Sequence, residues 1–141
     1  MNRRVVLTIS GLHAGENEDN GTVETIVEAE YFEKNGSHYI LYEEQEEGFT
    51  QTSKNRIKFK DNLVELIRQG VVGTHMIFEK GKTHMTDYQT PFGQMLLGIN
   101  TGSLEVQMQE ESIYITIEYV LEADGEYLSD SRIEITLRNA E

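Results

Sequence analysis

Ile113-Tyr114-Ile115-Thr116-Ile117-Glu118-Tyr119-Val120-Leu121 carries an apolar side chain at every odd position, and Tyr114, Thr116 and Glu118 between them are mostly polar. A period of two marks a β-strand with one buried face, because successive side chains point to opposite sides of a sheet. The alternation recurs along almost the whole chain, so register can be worked out residue by residue, and with it the inward-facing side chains. Turns are supplied by Gly and Asn. Asn35-Gly36 is the pair favoured in a type I′ hairpin, where both central residues need positive φ. Centred there, the hairpin sets Phe32 opposite Tyr39 and Tyr31 opposite Ile40. Val23, Thr25, Val27, Ala29, Tyr31, Ile40 and Tyr42 then share the core face.

Working outward, a Gly48-Phe49 turn predicts Ile40 opposite Ile57 and Glu43 opposite Lys54. An Asp61-Asn62 turn pairs Phe59 with Val64, Ile57 with Leu66 and Lys58 with Glu65. A loop at Gly70-Val71-Val72 pairs Leu66 with Met76, Val64 with Phe78 and Arg68 with Thr74. A Lys80-Gly81 turn then sets Met76 opposite Met85 and Thr74 opposite Asp87, and a Pro91-Phe92-Gly93 loop sets Met85 opposite Ile99. A Glu110-Glu111 turn pairs Met108 with Ile113 and Leu104 with Ile117. Near Asp124-Gly125, a three-residue loop or a bulge at Gly125 pairs Ile117 with Ile133, where a plain two-residue turn would pair it with Arg132. Inward parity changes between Ile99 and Leu104. A bend through a bulge at Gly102 gives about ten strands and a turn there about eleven; an even count suits an up-and-down barrel. The expected architecture is all-β: a single antiparallel up-and-down β-barrel domain spanning residues 1–141, with about 8–10 strands. An open sandwich is the alternative, but closure removes edges that a β-rich chain must otherwise protect.

Composition narrows the function. The 141 residues contain no Cys, which excludes disulfides and thiolate metal sites. The N-terminal stretch has no long apolar segment with a cleavage site, and no apolar run is long enough to span a membrane, so a cytoplasmic protein is expected. A formal net charge of −13 argues against nucleic-acid or anionic-membrane partners.

Arg68-Gln69-Gly70, Met76-Ile77-Phe78-Glu79, Tyr88-Gln89-Thr90-Pro91-Phe92-Gly93, Thr101 and Leu104-Glu105-Val106 resemble the YwiB-like family of small bacterial proteins. Ile117-Glu118-Tyr119 and Ile133-Glu134-Ile135 fit the same pattern. The resemblance runs from about Tyr39 onward and is most specific at Tyr88–Gly93. It implies a calycin- or lipocalin-like β-barrel and no catalytic residues, the family's function being uncharacterised. Ligand binding by analogy with calycins is an argument from fold alone.

Register nominates the candidate site. Arg68, Thr74 and Asp87 form a polar row across three strands about 4.8 Å apart, where a guanidinium could hold a carboxylate or phosphate. Tyr31, Tyr42 and Tyr119 could add hydroxyls. Met76, Met85, Met95 and Met108, with Phe59 and Phe78, take inward parity and would suit a small apolar or amphipathic ligand. The same residues also suit a structural ion pair and a packed core. His75 and His84 fall diagonally across a hairpin, too few for a metal site. Lys54, Arg56, Lys58 and Lys60 form a basic stripe answered by Glu43 and Glu65. Pro91 and Gly93 read as a rigid loop, with Phe92 a conceivable gate. No phosphate loop, nucleophile elbow or zinc motif occurs, so no cofactor and no catalysis are expected. Two functions stay open: a barrel binding a small molecule with Arg68 and Asp87 at its polar end, and a packed barrel serving as a protein-interaction or regulatory module.

Overall fold

The computed structural model describes residues 1, 3–11, 24–45, 50–70, 73–90 and 93–140. Ten β-strands follow one another: β1 (Arg4–Ser10), β2 (Glu24–Lys34), β3 (Ser37–Gln45), β4 (Thr52–Lys60), β5 (Leu63–Gln69), β6 (Thr74–Glu79), β7 (Thr83–Thr90), β8 (Gly93–Met108), β9 (Ser112–Ala123) and β10 (Glu126–Asn139). They form one antiparallel sheet in the order β6-β5-β4-β3-β2-β1-β10-β9-β8-β7. Each strand therefore neighbours its sequence successor, and β1 pairs with β10 to join the two ends of the chain. The sheet curls until its edge strands β6 and β7, linked by the Lys80–Gly81 turn, pack together. Among the described residues these two share no backbone ladder, so the barrel is nearly closed, with a seam. No helix of the described residues is long and apolar enough to cross a membrane, which says nothing about a barrel.

The local causes are those read from the sequence. Asn35 and Gly36 both have positive φ (53° and 81°), as the tight β2–β3 turn requires. Tyr31 faces Ile40, Ile40 faces Ile57, Phe59 faces Val64, and Leu66 faces Met76. Glu43 meets Lys54 and Glu65 meets Lys58 on the outside, so the basic stripe is partly answered by acid. The change of parity in β8 is a bulge between Thr101 and Ser103, a bend within one strand. Asp124-Gly125 does form a two-residue turn, with Ala123 opposite Glu126. The correction that brings Ile117 opposite Ile133 comes further on, at an irregularity between Tyr127 and Ser129.

One register differs. Thr90 pairs with Gly93, leaving two residues between them where three were expected, and this slides β7 by one position. Met85 now faces Gly98, and His84 faces Ile99. A one-residue slip turns a strand's two faces over. Met85 and Asp87 consequently point outward and are exposed, while His84, Thr86 and Tyr88 take the inner side. The expected Met76–Met85 and Thr74–Asp87 pairs do not form. The turns read at Gly48-Phe49 and Val71-Val72, the Pro91-Phe92 loop with its gate, and Val23 lie outside the described residues.

The inward side chains of the described residues form one buried core. Leu7, Ile40, Ile57, Phe59, Met76, Phe78, Leu97, Ile99, Ile113, Ile115, Ile117 and Leu121 are among its fully buried members. Phe78 from β6 meets the Tyr119 ring of β9 edge-on at 4.9 Å and 67°, which knits the two sides of the seam through the core.

Candidate functional site

The two ends of the barrel differ chemically. At the end where β3 and β5 finish, inward parity carries Tyr42 and Glu44 of β3, Ser53 and Asn55 of β4, Arg68 of β5 and Thr74 of β6 into a polar cluster. Tyr42, Asn55, Arg68 and Thr74 are successive cross-strand partners. Arg68 does not reach toward Asp87; its guanidinium donates to Glu44 Oε1 at 2.6 Å. The Thr25 hydroxyl donates to Glu44 Oε2 at 3.2 Å, and Asn55 Nδ2 donates to Ser53 Oγ at 3.0 Å. Burial, with Glu44 adding and Arg68 opposing, pushes the Tyr42 phenol up to about 12. Arg68 and Glu44 are each about a third exposed or less, and each satisfies the other. The row Arg68–Thr74–Asp87 is thus replaced by Thr25–Glu44–Arg68, with Asp87 outside the barrel.

The remaining predicted residues divide among separate places. Met76 and Phe78 are core residues, and Met95 packs half-buried against that core. Met85 is 52% exposed, and its sulfur covers Gly98 on the outer wall. Met108 keeps inward parity but is 51% exposed at the strand end, so the expected methionine wall is not continuous. Tyr119 lies in the interior, and Tyr31 belongs to the opposite end from Arg68. The two histidines are also apart. His75 pairs with Glu65 on the outside, and His84 Nε2 bonds Glu79 Oε1 at 2.9 Å beside the seam. No three His, Asp or Glu side chains among the described residues come together as metal ligands.

The opposite end holds a cleft. β8 runs to Met108, but its partner β7 begins at Thr83 opposite Asn100, so residues 103–108 pair only with β9. Between this stretch, the β4–β5 turn and the end of β6 lies a gap. The gap has a volume of about 510 Å³ and is open to solvent. Phe59, Leu63, Val106 and Met108 give it apolar surface; His38, Lys60, Asn62 and Glu79 give it polar groups.

His38 is the most constrained of these. Its ring stacks on Phe59 at 4.8 Å, and Nδ1 lies 2.7 Å from the Tyr31 hydroxyl. Burial first and Glu33 second raise the Tyr31 pKa, and its hydroxyl shares this hydrogen bond with the imidazole. Glu79, hydrogen-bonded first by His84 and then by Lys82, is held below the ordinary carboxylate value against its own desolvation. The cleft thus sets four apolar side chains beside the stacked His38 ring and a carboxylate whose pKa is lowered.

Sequence reasoning missed Glu44, His38 and the cleft. Glu44 shares the parity of Ile40 and Tyr42, so carrying that alternation two residues further finds it. His38 is likewise on the inner face, opposite Phe59. The cleft had no local signal, since it depends on where β7 begins relative to β8.

Fold and cleft together define a small antiparallel β-barrel protein with a packed interior and a ligand-sized opening at one end. The chain belongs to the family described as Domain of unknown function (DUF1934), which residues 7–135 match. It is 28% identical over 113 residues to the uncharacterized beta-barrel protein YwiB of Bacillus subtilis, covering 77% of this chain and 78% of that protein. Its fold is similar to the crystal structure of the ywiB protein from Bacillus subtilis, with a TM-score of 0.80 at 20% identity, over 99% of this chain and 93% of that one. The chain is therefore a YwiB-like β-barrel.

Proposed function

We propose that this barrel binds a small amphipathic molecule in the cleft between the β4–β5 turn and the end of β8. The observation that carries the reading is the cleft's volume of about 510 Å³ together with its lining. Small-molecule sites typically enclose about 300–1,000 Å³, and here Phe59, Leu63, Val106 and Met108 share the lining with His38, Lys60, Asp61, Asn62 and Glu79. Phe59, Leu63, Val106 and Met108 would take the apolar part. His38 and Lys60 would take a polar or acidic group, and Glu79 at the rim would disfavour a second negative charge. The role is binding without catalysis. The Arg68–Glu44 pair argues against Arg68 as a free anion anchor.

A titration of the ¹⁵N-labelled protein with a panel of short-chain carboxylic acids and amphipathic alcohols tests this. Shifts are expected at Gly36, His38, Asp61, Asn62 and Met108, and should be abolished by Leu63→Arg. Shifts centred on Arg68 and Thr74 would place the site at the other end and overturn the reading.

A second reading, a protein-interaction module, has its own observation. Met85, Leu96 and Tyr127 are exposed on the outer wall of β7–β10, where Met85, Gly98, Glu122 and Tyr127 are successive cross-strand neighbours. Clustered exposed apolar groups are a usual mark of a partner surface.

A further inference from the structure

β8 ends in a strand edge that no other strand of the described residues accompanies. Residues 103–108 ladder only with β9, because the connection before β7 meets β8 at Thr101: Gly81 N donates to Thr101 O, and Thr101 N donates to Lys82 O. The direction of the remaining backbone groups follows from the β8–β9 hairpin. Gln109 N donates to Ser112 O, so Gln109 turns its backbone groups toward β9. Successive residues of an antiparallel strand turn N–H and C=O to opposite sides. Leu104, Val106 and Met108 therefore turn theirs away from β9, toward the open side, and no backbone group of the described residues bonds them there. Gly102, Glu105, Gln107 and Met108 are exposed, and a Cβ at Gly102 would meet open space.

An open edge invites another strand, and natural sheets blunt it with Pro, Lys or a short length. Ser103-Leu104-Glu105-Val106-Gln107-Met108 holds neither residue and runs for about 20 Å. The stretch is also complementary to itself. Paired antiparallel about a two-fold axis at Val106, it sets Val106 on Val106, Leu104 against Met108 and Glu105 against Gln107. The half-exposed Met108 gains apolar cover, the Glu105 carboxylate meets an amide that can donate to it, and no like charges stand opposite each other. The same register carries the Glu110-Glu111 turn of one copy past Gly102 toward Lys80 of the other. Glu110, Glu111 and Lys80 have no ion-pair partner among the described residues, whereas Lys82 is held by Glu79 at 3.4 Å. The net charge of −13 repels copies at long range, but physiological salt screens it beyond about 8 Å.

We propose that two copies of this chain pair through the free edge of β8, residues 103–108, antiparallel about Val106, so that the sheet runs on from one barrel into the next. Leu104, Val106 and Met108 of each copy supply about six main-chain hydrogen bonds between them. The contact uses the same patch on both copies, so it closes at two and does not grow into a fibre. The proposal rests on the strand edge and does not depend on the end cleft's holding a small molecule.

Disulfide trapping tests the pairing, since the chain has no Cys of its own. Facing residues of a hydrogen-bonded antiparallel pair lie about 5.5 Å apart at Cα, within disulfide range. Under mild oxidation at physiological salt, Val106→Cys should form a covalent dimer of twice the 16.2 kDa chain, while Tyr127→Cys, exposed on the outer wall, should stay monomeric. Sedimentation velocity of the unaltered chain should show a reversible dimer. Val106→Pro should abolish it, because the change removes an N–H that β9 does not use. Lys80→Glu and Glu110→Lys should each weaken it roughly fivefold, two exposed ion pairs being lost at once, and the two together should restore it. Where Val106→Pro fails to fold, the charge reversals decide alone. A chain that stays monomeric with no trapping at Val106→Cys, or a dimer indifferent to both charge reversals, would overturn the proposal.

Discussion

Gly11 shows how much one residue can control. It follows β1 with a φ of +87°, and a Cβ built there would lie 2.1 Å from the carbonyl oxygen of Arg132 on β10. Both backbone strain and a backbone clash oppose any side chain, and neither can be relieved by a rotamer change. Gly11→Ala is expected to cost roughly 1–3 kcal/mol in urea unfolding. Gly102 is the control. It sits in the β8 bulge with nothing within 4 Å of a Cβ, so Gly102→Ala should be close to neutral. Arg68 and Glu44 form the other residue-scale case. A double-mutant cycle to Ala should give a coupling of about 1 kcal/mol, above the surface median because the pair is half-buried and short. A zero coupling would make the contact incidental.

Among elements, most of the barrel was legible because alternation and turn chemistry agreed. β9 alternates without a fault, and Asn35-Gly36 dictates one hairpin and no other. Where β8 changes parity, a bend was preferred to a turn on strand count, and the bulge at Gly102 is that bend. β7 failed for a physical reason. Thr83-His84-Met85-Thr86-Asp87-Tyr88 has no clearly apolar face, so nothing in its pattern could choose between a loop of two residues and one of three. As an edge strand at the seam it is also constrained by a ladder on one side only. The candidate site inherited this error: Asp87 and Met85 were read inward by a register that was one residue out. Glu44 lies one step beyond Tyr42 on the same alternation, beside the acidic Glu43, Glu46 and Glu47, a composition that suits a solvated rim.

The seam carries an element-scale prediction. Glu79 on β6 is tied to His84 at the start of β7 and to Lys82 in the connection. Its folded pKa lies below the ordinary value of 4.5, so the folded state binds its proton less readily than the unfolded state. The stabilisation is therefore complete above pH 4.5 and is lost as pH falls through the lower, folded value. Acid unfolding of His84→Gln should show a weaker pH dependence in that window. An unchanged acid profile would mean that the contact does not help to close the seam.

Taken whole, the molecule is a packed barrel with a polar cluster at one end and an open cleft at the other. Two interior tyrosines make its stability sensitive to alkali. Tyr42 and Tyr119 have folded pKa values of about 12 against 10.0 in the ordinary state. The folded chain then holds protons that the unfolded chain releases, so stability is steady below pH 10 and falls as pH rises toward 12. Tyr42→Phe should flatten part of that fall, as followed by circular dichroism during alkaline titration.

The central claim is that the end cleft is the binding site. Native mass spectrometry of the protein purified from its own host, compared with Leu63→Arg and Arg68→Ala, tests it most directly. The account predicts a reproducible small-molecule adduct on the wild type, kept in Arg68→Ala and lost in Leu63→Arg, whose guanidinium would fill the cleft. An adduct that survives Leu63→Arg, or one lost only in Arg68→Ala, would contradict it.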